Sequence, residues 1–430
     1  MRQYWIPAIA STELPERDGP PLRVRLLGED LIAFRDTNGR IGLVAANCPH
    51  RGASLFFGRN EEEGLRCVYH GWKFDTTGQC VDMPNEPAES NFKSKIKTIA
   101  YPCAERGGII WAYMGPRQEP PPLPEIEPNM LPEGQYTVSM MQRECNWLQA
   151  LEGDIDTSHL QFLHMGSMKP TQVQPGTFGY YGLMDRAPRY KVADMPFGTM
   201  YGAYRPAGEG RLYWRIAGFM FPCFALIPTG VLGNQVLVRA WVPLDDTHTM
   251  FISMAGRPAG GPVVGPTADP AWAARSAEDR FVGGFAGTRY QPGTSDWYGR
   301  FRPVQAKAND YLIDRGKQSR DESYTGIDGI SIQDQAITES MGPIMDRTAE
   351  HLGSSDAMIL RTRLRMSMVA RAYHERGVVP PGVDEPEVYG IRSGGVILPS
   401  DADWLEATQD LRKAFVAHPD LDLSVVGGGA

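Results

Sequence analysis

The sequence lacks the features of a membrane, secreted or nucleic-acid-binding protein. None of its apolar runs is long enough to span a bilayer, and its first residues, Met1-Arg2-Gln3-Tyr4-Trp5-Ile6-Pro7, form neither a signal peptide nor a transit peptide. It also lacks an excess of basic charge, since its formal net charge is -8, which gives no attraction for nucleic acid or an anionic membrane. These absences predict a cytoplasmic protein with neither kind of partner.

Cysteine is scarce, and a dinucleotide-binding signature is missing. The six cysteines among 430 residues fall at irregular spacings, which argues against a disulfide framework. The nearest candidate for a glycine-rich nucleotide loop, Gly208-Glu209-Gly210, has no third glycine and leads into a predicted strand instead of a helix. The chain therefore has no convincing NAD(P)H-binding motif of its own.

The length and the turn signals predict two domains. A chain of 430 residues leaves room for a second core. Residues 22–114 alternate short strands with turn signals, which predicts a small β-sandwich. The proline-rich segment 119–124 is a stiff connector, so we predict one domain at 1–118, including an N-terminal lead segment, and a second at 119–430.

The second domain is predicted to be an antiparallel sheet flanked by helices, which makes the fold class α+β. Residues 212–228 and 236–256 alternate as strands, with a hairpin turn at 245–249. Helices are expected at 146–163 and 334–352, and a third follows residue 356 and extends to about residue 374. Residues 257–303 read as long loops of the kind that cover a site.

Two cysteine-histidine pairs, Cys48-Pro49-His50-Arg51-Gly52 and Cys67-Val68-Tyr69-His70-Gly71-Trp72, lie close together in the first domain. Their spacing, C-x-H-x16-C-x2-H, is typical of a Rieske cluster, in which two thiolates hold one iron and two imidazoles hold the other. A structural zinc site is the alternative, but zinc fingers pair Cys with Cys, whereas each segment here offers one of each ligand. Ala53 and Tyr69 occupy the places of the extra cysteines of respiratory Rieske proteins, which indicates the lower-potential kind found in oxygenases.

A second metal site is predicted around two histidines five residues apart, His159 and His164, which follow Asp154 and Asp156. Two imidazoles and one carboxylate on one face of non-haem Fe(II) leave positions open for oxygen and substrate. Five residues of an ideal helix turn through about 500°, so both rings can reach one iron only if the helix bulges or ends before His164. The alternative is that these are separate surface or core histidines.

Together these motifs resemble the α-subunit of a Rieske non-haem iron aromatic-ring-hydroxylating oxygenase, in the phthalate-dioxygenase-like branch. The resemblance covers most of the chain, and its motifs are the two cysteine-histidine loops, Asn146-Trp147, 152–159, His164, 308–315 and 333–343. Members of this branch usually carry a short helical lead before a segment like the one at which this numbering starts.

The resemblance implies a ligand set for each metal site. It implies that the 2Fe-2S cluster is bound by Cys48, His50, Cys67 and His70, and the mononuclear iron by His159, His164 and Asp334. Asp334 competes with three acids on the same predicted helix, Glu339, Asp346 and Glu350, and is chosen because Gln-Asp-Gln-Ala-Ile matches the ligand segment of the family. The alternative for Asp334 is a solvated acid near a helix N-terminus.

The resemblance also implies partners. Asp156 matches the acid that links a Rieske histidine of one subunit, here His70, to the iron ligand of the next, which implies a C3 homotrimer or a stacked hexamer. A carboxylate that caps a helix turn is the alternative reading of Asp156. Electrons are expected from NAD(P)H through a separate flavin and iron-sulfur reductase.

The expected reaction is the hydroxylation of a substituted aromatic acid by O2. Arg189 and Arg215 are the candidates for a bidentate partner of the substrate carboxylate, with surface salt bridges as the alternative. Oxidative O- or N-dealkylation of an aromatic ether or amide is the second expectation. A Rieske electron carrier without a reaction of its own is the alternative from another class.

Overall fold

The computed structural model describes residues 1–87, 89–234, 236–256, 285, 288–418 and 421. In the first part of the chain the strands are β1 Trp5–Ala10, β2 Leu22–Leu26, β3 Glu29–Arg35, β4 Ile41–Ala45, β5 Arg59–Glu61, β6 Gly64–Arg66, β7 Lys73–Phe74, β8 Cys80–Asp82, β9 Cys103–Arg106 and β10 Ile109–Tyr113. They are followed by α1 Glu127–Met130, β11 Tyr136–Arg143, α2 Trp147–Asp154, α3 Leu160–Leu163, α4 Phe178–Met184, β12 Arg189–Met195, β13 Gly198–Pro206, β14 Arg211–Met220, β15 Phe224–Leu226, β16 Val236–Pro243 and β17 Thr249–Gly256. The last elements are α5 Arg315–Ser319, α6 Ile330–Ser340, α7 Ala357–Arg376, β18 Gly394–Pro399 and α8 Trp404–Ala407.

The first part of the chain is built from small antiparallel sheets, as its short alternating strands predict. Their orders are β1-β10-β9, β2-β3-β4 and β5-β6-β7-β8. Ile32, Phe34, Leu65 and Phe74 are fully buried and belong to a hydrophobic cluster that also contains the two cysteines of the predicted cluster loops. The loops therefore stand on a packed base of β-structure.

The second part is organised around one large antiparallel sheet, which confirms the predicted α+β class. Its order is β11-β17-β16-β15-β14-β13-β12, and β18 pairs with β14. The predicted hairpin turn joins β16 to β17, where the carboxylate of Asp245 accepts the backbone N–H groups of Thr247 at 2.8 Å and His248 at 2.9 Å. Turn chemistry of this kind, in which an Asp side chain binds the backbone two residues on, sets the strand register.

Each of the three predicted helices overlaps a helix of the structure, but the described residues contain eight helices in this part of the chain, and the predicted extents were partly wrong. The segment 146–163 is interrupted, with α2 and α3 separated by a turn. The helix predicted at 334–352 begins earlier and ends at Ser340, because Gly342 adopts a left-handed φ of +93° and Pro343 follows. The third helix, α7, ends at Arg376, close to its predicted limit, and Gly377 follows it in the left-handed conformation.

The two parts pack against each other. The backbone N–H groups of Leu27 and Gly28 donate to carbonyls at the end of β16, at 3.0 and 2.8 Å, and Arg25 forms an ion pair with Asp245 at 2.9 Å. The largest buried cluster runs from β1 and β10 into the large sheet, so the parts share a core. The boundary at 118/119 stays a prediction.

Two expectations from the sequence remain: long loops at 257–303, and no segment long enough to span a bilayer. Of the loops expected at 257–303, residues 257–284 and 286–287 lie outside the described residues, and residues 288–303 form no helix or regular strand. Among the described residues, every helix is too short or too polar to cross a bilayer.

Candidate functional site

The two predicted cluster loops have the same backbone hydrogen bonds. In each loop the cysteine N–H donates at 2.8 Å to the carbonyl five residues later, and the glycine four residues later donates at 2.9 Å to the cysteine carbonyl. Both glycines, Gly52 and Gly71, have a left-handed φ, of +76° and +81°. Because L side chains rarely adopt this conformation, glycine is the residue that lets each loop turn back on itself.

The four side chains of these loops are arranged as a cluster site requires. Cys48 and Cys67 are each 2 % exposed, whereas His50 and His70 are half-buried with ring centroids 4.5 Å apart. Burial raises the pKa of the Cys48 thiol to about 11, so a cation must compensate the charge before the thiolate form can persist there. Trp72 stacks on His50 with ring centroids 4.4 Å apart and restricts that ring. Two inner thiols and two outer imidazoles fit a Rieske [2Fe-2S] cluster.

A turn between α2 and α3 places His159 at the start of α3, and His164 follows the end of that helix. Asp156 forms this turn, since its Oδ1 accepts the backbone N–H of Ser158 at 2.7 Å and the Ser158 hydroxyl at 2.6 Å. The four-residue helix α3 then lies between the histidines, whose ring centroids are 5.2 Å apart. The helix α3 ends at Leu163, directly before His164, as the five-residue spacing requires.

Asp334 from α6 completes a group of three metal-binding side chains. Its Oδ1 lies 3.1 Å from Nε2 of His164 and 3.6 Å from Nε2 of His159. One ligand atom from each of the three residues lies within 4.8 Å of the others. Two imidazoles and one carboxylate at this separation fit non-haem Fe(II), and they would leave coordination positions free for oxygen and substrate.

The acids and histidines of this group shift each other's pKa values. Burial opposes ionisation of Asp334, but the hydrogen bond with His164 and the nearby cationic groups outweigh it and hold the pKa of Asp334 below its ordinary value. Burial likewise opposes the protonation of His159, yet its hydrogen bond with Asp156, 3.3 Å away, raises the pKa of His159 overall. The carboxylates are therefore ionised at neutral pH and available to a cation.

The other acids that compete for this site have partners of their own. Asp154 accepts the indole N–H of Trp241 at 2.7 Å, and Glu339 accepts a tyrosine hydroxyl at 2.6 Å. Asp346 and Glu350 lie beyond the end of α6, where the first caps a short turn and the second pairs with an arginine. Of the acids weighed on the predicted helix, Asp334 is the one whose carboxylate lies close to both histidines.

The two predicted substrate arginines lie on opposite faces of the large sheet. Arg189 pairs with Tyr204 across β12 and β13, and Tyr204 pairs with Trp214 on β14, so these three side chains share a face. Arg215 follows Trp214 in the strand and therefore points to the other face. The Arg189 side chain is also 63 % exposed. Arg189 thus lacks the burial on which its predicted role depended.

Arg215, by contrast, is buried on the face that packs against α3 and α4. It is 7 % exposed, and its guanidinium carbon lies 4.1 Å from the ring centroid of Phe178 on α4. Phe178 shares a hydrophobic cluster with Met165, which directly follows His164. Burial lowers the pKa of Arg215, and its Nε has no hydrogen-bond partner in the part of the chain that the structure describes. A buried donor of this kind is costly unless a ligand satisfies it.

Sequence reasoning missed a second buried arginine on this face. Arg205 is fully buried, and its Nη2 donates at 3.1 Å to Oε1 of Gln161, which lies on α3 between the two histidines. Its Nη1 has no partner among the described residues. The available signal was a charged residue at an inward position of an alternating strand, which is weak because surface arginines are far more common.

Comparisons with known proteins agree with this architecture. The family model of the Rieske [2Fe-2S] domain matches residues 4–100, and the model of the LigXa-like C-terminal domain matches residues 112–421. The oxygenase subunit of 3-chlorobenzoate-3,4-dioxygenase from Comamonas testosteroni is 45 % identical over 97 % of this chain and 95 % of its own length. The oxygenase subunit of phthalate 4,5-dioxygenase from Pseudomonas putida is 38 % identical over 98 % of this chain and 94 % of its own length. Dicamba monooxygenase bound to dicamba shares the fold, with a TM-score of 0.58 at 17 % identity over 87 % of this chain and 99 % of that one.

Proposed function

The chain belongs to the α-subunits of the Rieske non-haem iron aromatic-ring-hydroxylating oxygenases, and from this premise we propose that it hydroxylates a substituted aromatic acid. The observation that carries the proposal is the group formed by His159, His164 and Asp334 on the same side of the sheet as buried, incompletely paired arginines. In this proposal the chain is the terminal oxygenase of a system whose electrons come from NAD(P)H through a separate reductase. An electron carrier without a reaction of its own would not need this group.

We assign the metal ligands as the sequence predicts. The cluster ligands are Cys48, His50, Cys67 and His70, and the mononuclear iron ligands are His159, His164 and Asp334. When bound, the cluster supplies single electrons, and the iron activates O2 beside the substrate. The protein holds these groups, orients the imidazoles and keeps the surrounding charges balanced.

Asp156 has the geometry of a link between subunits. Its Oδ2 lies 3.3 Å from Nδ1 of His159, and the side chain is 21 % exposed, so part of the carboxylate faces outward. His70 is half-buried at the tip of its loop, where its ring is also accessible. A head-to-tail C3 ring, single or stacked in two layers, would place His70 of one subunit against Asp156 of the next and give electrons a short hydrogen-bonded route.

Arg215 and Arg205 account for the preference for an acid. A carboxylate needs a guanidinium in a site that excludes water, and these two residues offer buried N–H groups without partners among the described residues. The ring of Phe178 lies against the guanidinium of Arg215. An aromatic substrate could therefore pack against Phe178, between these two residues and the metal site. Arg189 has no part in this proposal, because it lies on the other face.

Product analysis tests the reaction. We expect that dithionite-reduced protein, freed of reductant and mixed with 3-chlorobenzoate or phthalate and O2, forms a hydroxylated aromatic acid within one turnover. Both reactions consume O2, two electrons and two protons. A diol that contains both atoms of ¹⁸O₂ identifies dihydroxylation. A product that contains one of the two atoms, with the other released as water, identifies monohydroxylation. Formaldehyde from a methoxybenzoate without hydroxylation of either acid would instead identify a dealkylase.

A further inference from the structure

We propose that Gln333 is a positioning residue that sets the tautomer and the ring orientation of His164 for metal binding. Gln333 is 9 % exposed on α6 and directly precedes Asp334. Its side-chain Oε1 lies 2.7 Å from Nδ1 of His164, and its Nε2 donates to the backbone carbonyl of Ile327 at 2.8 Å. This inference rests on the proposed iron site and adds a residue to it.

The hydrogen bonds determine which atoms carry protons. The carbonyl of Ile327 can only accept, so the amide nitrogen of Gln333 must face it and the amide oxygen must face His164. An amide oxygen can only accept as well, and therefore Nδ1 of His164 carries its proton. Nε2 is then the ring nitrogen that is left for a metal, and it points toward Asp334, 3.1 Å away. Gln333 therefore fixes which nitrogen of the imidazole a metal can bind.

The two histidines of the site are held by different kinds of acceptor. Nδ1 of His159 faces the carboxylate of Asp156 at 3.3 Å, whereas Nδ1 of His164 faces a neutral amide. A third carboxylate beside Asp334 and Asp156 would add another negative charge to a buried group of acids. Gln333 provides the acceptor without that charge, so its role is orientation and not charge compensation.

The test compares two buried glutamines of the same helix. Gln333→Met keeps the length of the side chain and removes both hydrogen bonds. Gln335→Met likewise keeps the length at a residue that is 2 % exposed, and it removes the one hydrogen bond that Gln335 makes among the described residues, to Glu339 at 2.9 Å. We expect Gln333→Met to weaken Fe(II) and Co(II) binding to the iron-free mononuclear site by about 10- to 100-fold, and Gln335→Met to leave it unchanged. The measurement is a metal titration followed by the Co(II) absorption bands, with the Rieske spectrum as a check of folding.

A third variant separates orientation from packing. Gln333→Glu keeps an acceptor for Nδ1 of His164, so it should bind metal more tightly than Gln333→Met. Wild-type affinity in Gln333→Met, or equal losses in Gln333→Met and Gln335→Met, would overturn the positioning role. Should the wild-type protein bind no metal at this site, the proposed iron site itself fails, which is a different result.

Discussion

Asp156→Asn is expected to slow electron delivery to the mononuclear site by about 10- to 100-fold while both metal sites stay loaded. The amide has the shape of the carboxylate and can still accept the two hydrogen bonds from Ser158 that form the turn. It loses the negative charge that faces His159 and, in the proposed ring, His70 of the next subunit. The measurement is the reoxidation rate of the Rieske cluster after reduced protein meets substrate and O2.

Ser158→Ala is the matched control for this prediction. It removes one of the hydrogen bonds to Asp156 Oδ1 and leaves Oδ2 facing His159, so reoxidation should stay close to the wild-type rate. If Asp156→Asn reoxidises as fast as the wild type with full iron content, the carboxylate only caps the turn. The proposed route between subunits would then be wrong.

Arg215→Met is expected to weaken the binding of the aromatic acid by at least about 30-fold, which corresponds to the lower end of the 2–5 kcal/mol typical for truncating a buried charge pair. Methionine fills the volume without a charge, and removal of a desolvated guanidinium beside Phe178 should not unfold the sheet. Equilibrium binding of 3-chlorobenzoate checks the loss. Arg205→Met should weaken binding in the same direction.

The specificity of this loss is tested with a neutral ligand. 3-Chlorobenzamide has the same shape and no negative charge, so Arg215→Met should change its affinity little. Arg189→Met, on the exposed face, should leave both ligands within about twofold of wild type. An equal loss for the acid and the amide would show that Arg215 shapes the pocket and does not bind a carboxylate.

The parts of the site that sequence reasoning predicted are those encoded locally. Each cluster loop carries its cysteine, histidine and glycine within five residues, and the left-handed turn at Gly52 follows from that short pattern. His159 and His164 are five positions apart, and their spacing alone requires a helix end before His164, which the structure contains at Leu163. Asp334 lies far along the chain, so it was chosen by resemblance among several acids of one predicted helix.

The parts that sequence reasoning missed depend on pairing between distant segments. Arg189 and Arg215 are both inside alternating strands, and their opposite faces follow only from the register of β12, β13 and β14. Arg205 carries no motif, because a single polar residue on an otherwise apolar pattern is usually a surface group. Gln333 lies in the segment that identified Asp334, but the resemblance gave it no role of its own. Their roles become visible when the buried hydrogen bonds are counted.

The central claim is that one chain holds a Rieske cluster and a separate mononuclear iron. The measurement that tests it most directly is iron and acid-labile sulfide per chain in anaerobically purified wild type and His159→Ala, with visible and low-temperature paramagnetic resonance spectra. We expect about three irons and two sulfides in the wild type, and about two irons with an unchanged Rieske spectrum in the variant. Two irons in both proteins would contradict the account, because the group around Asp334 would then hold no metal.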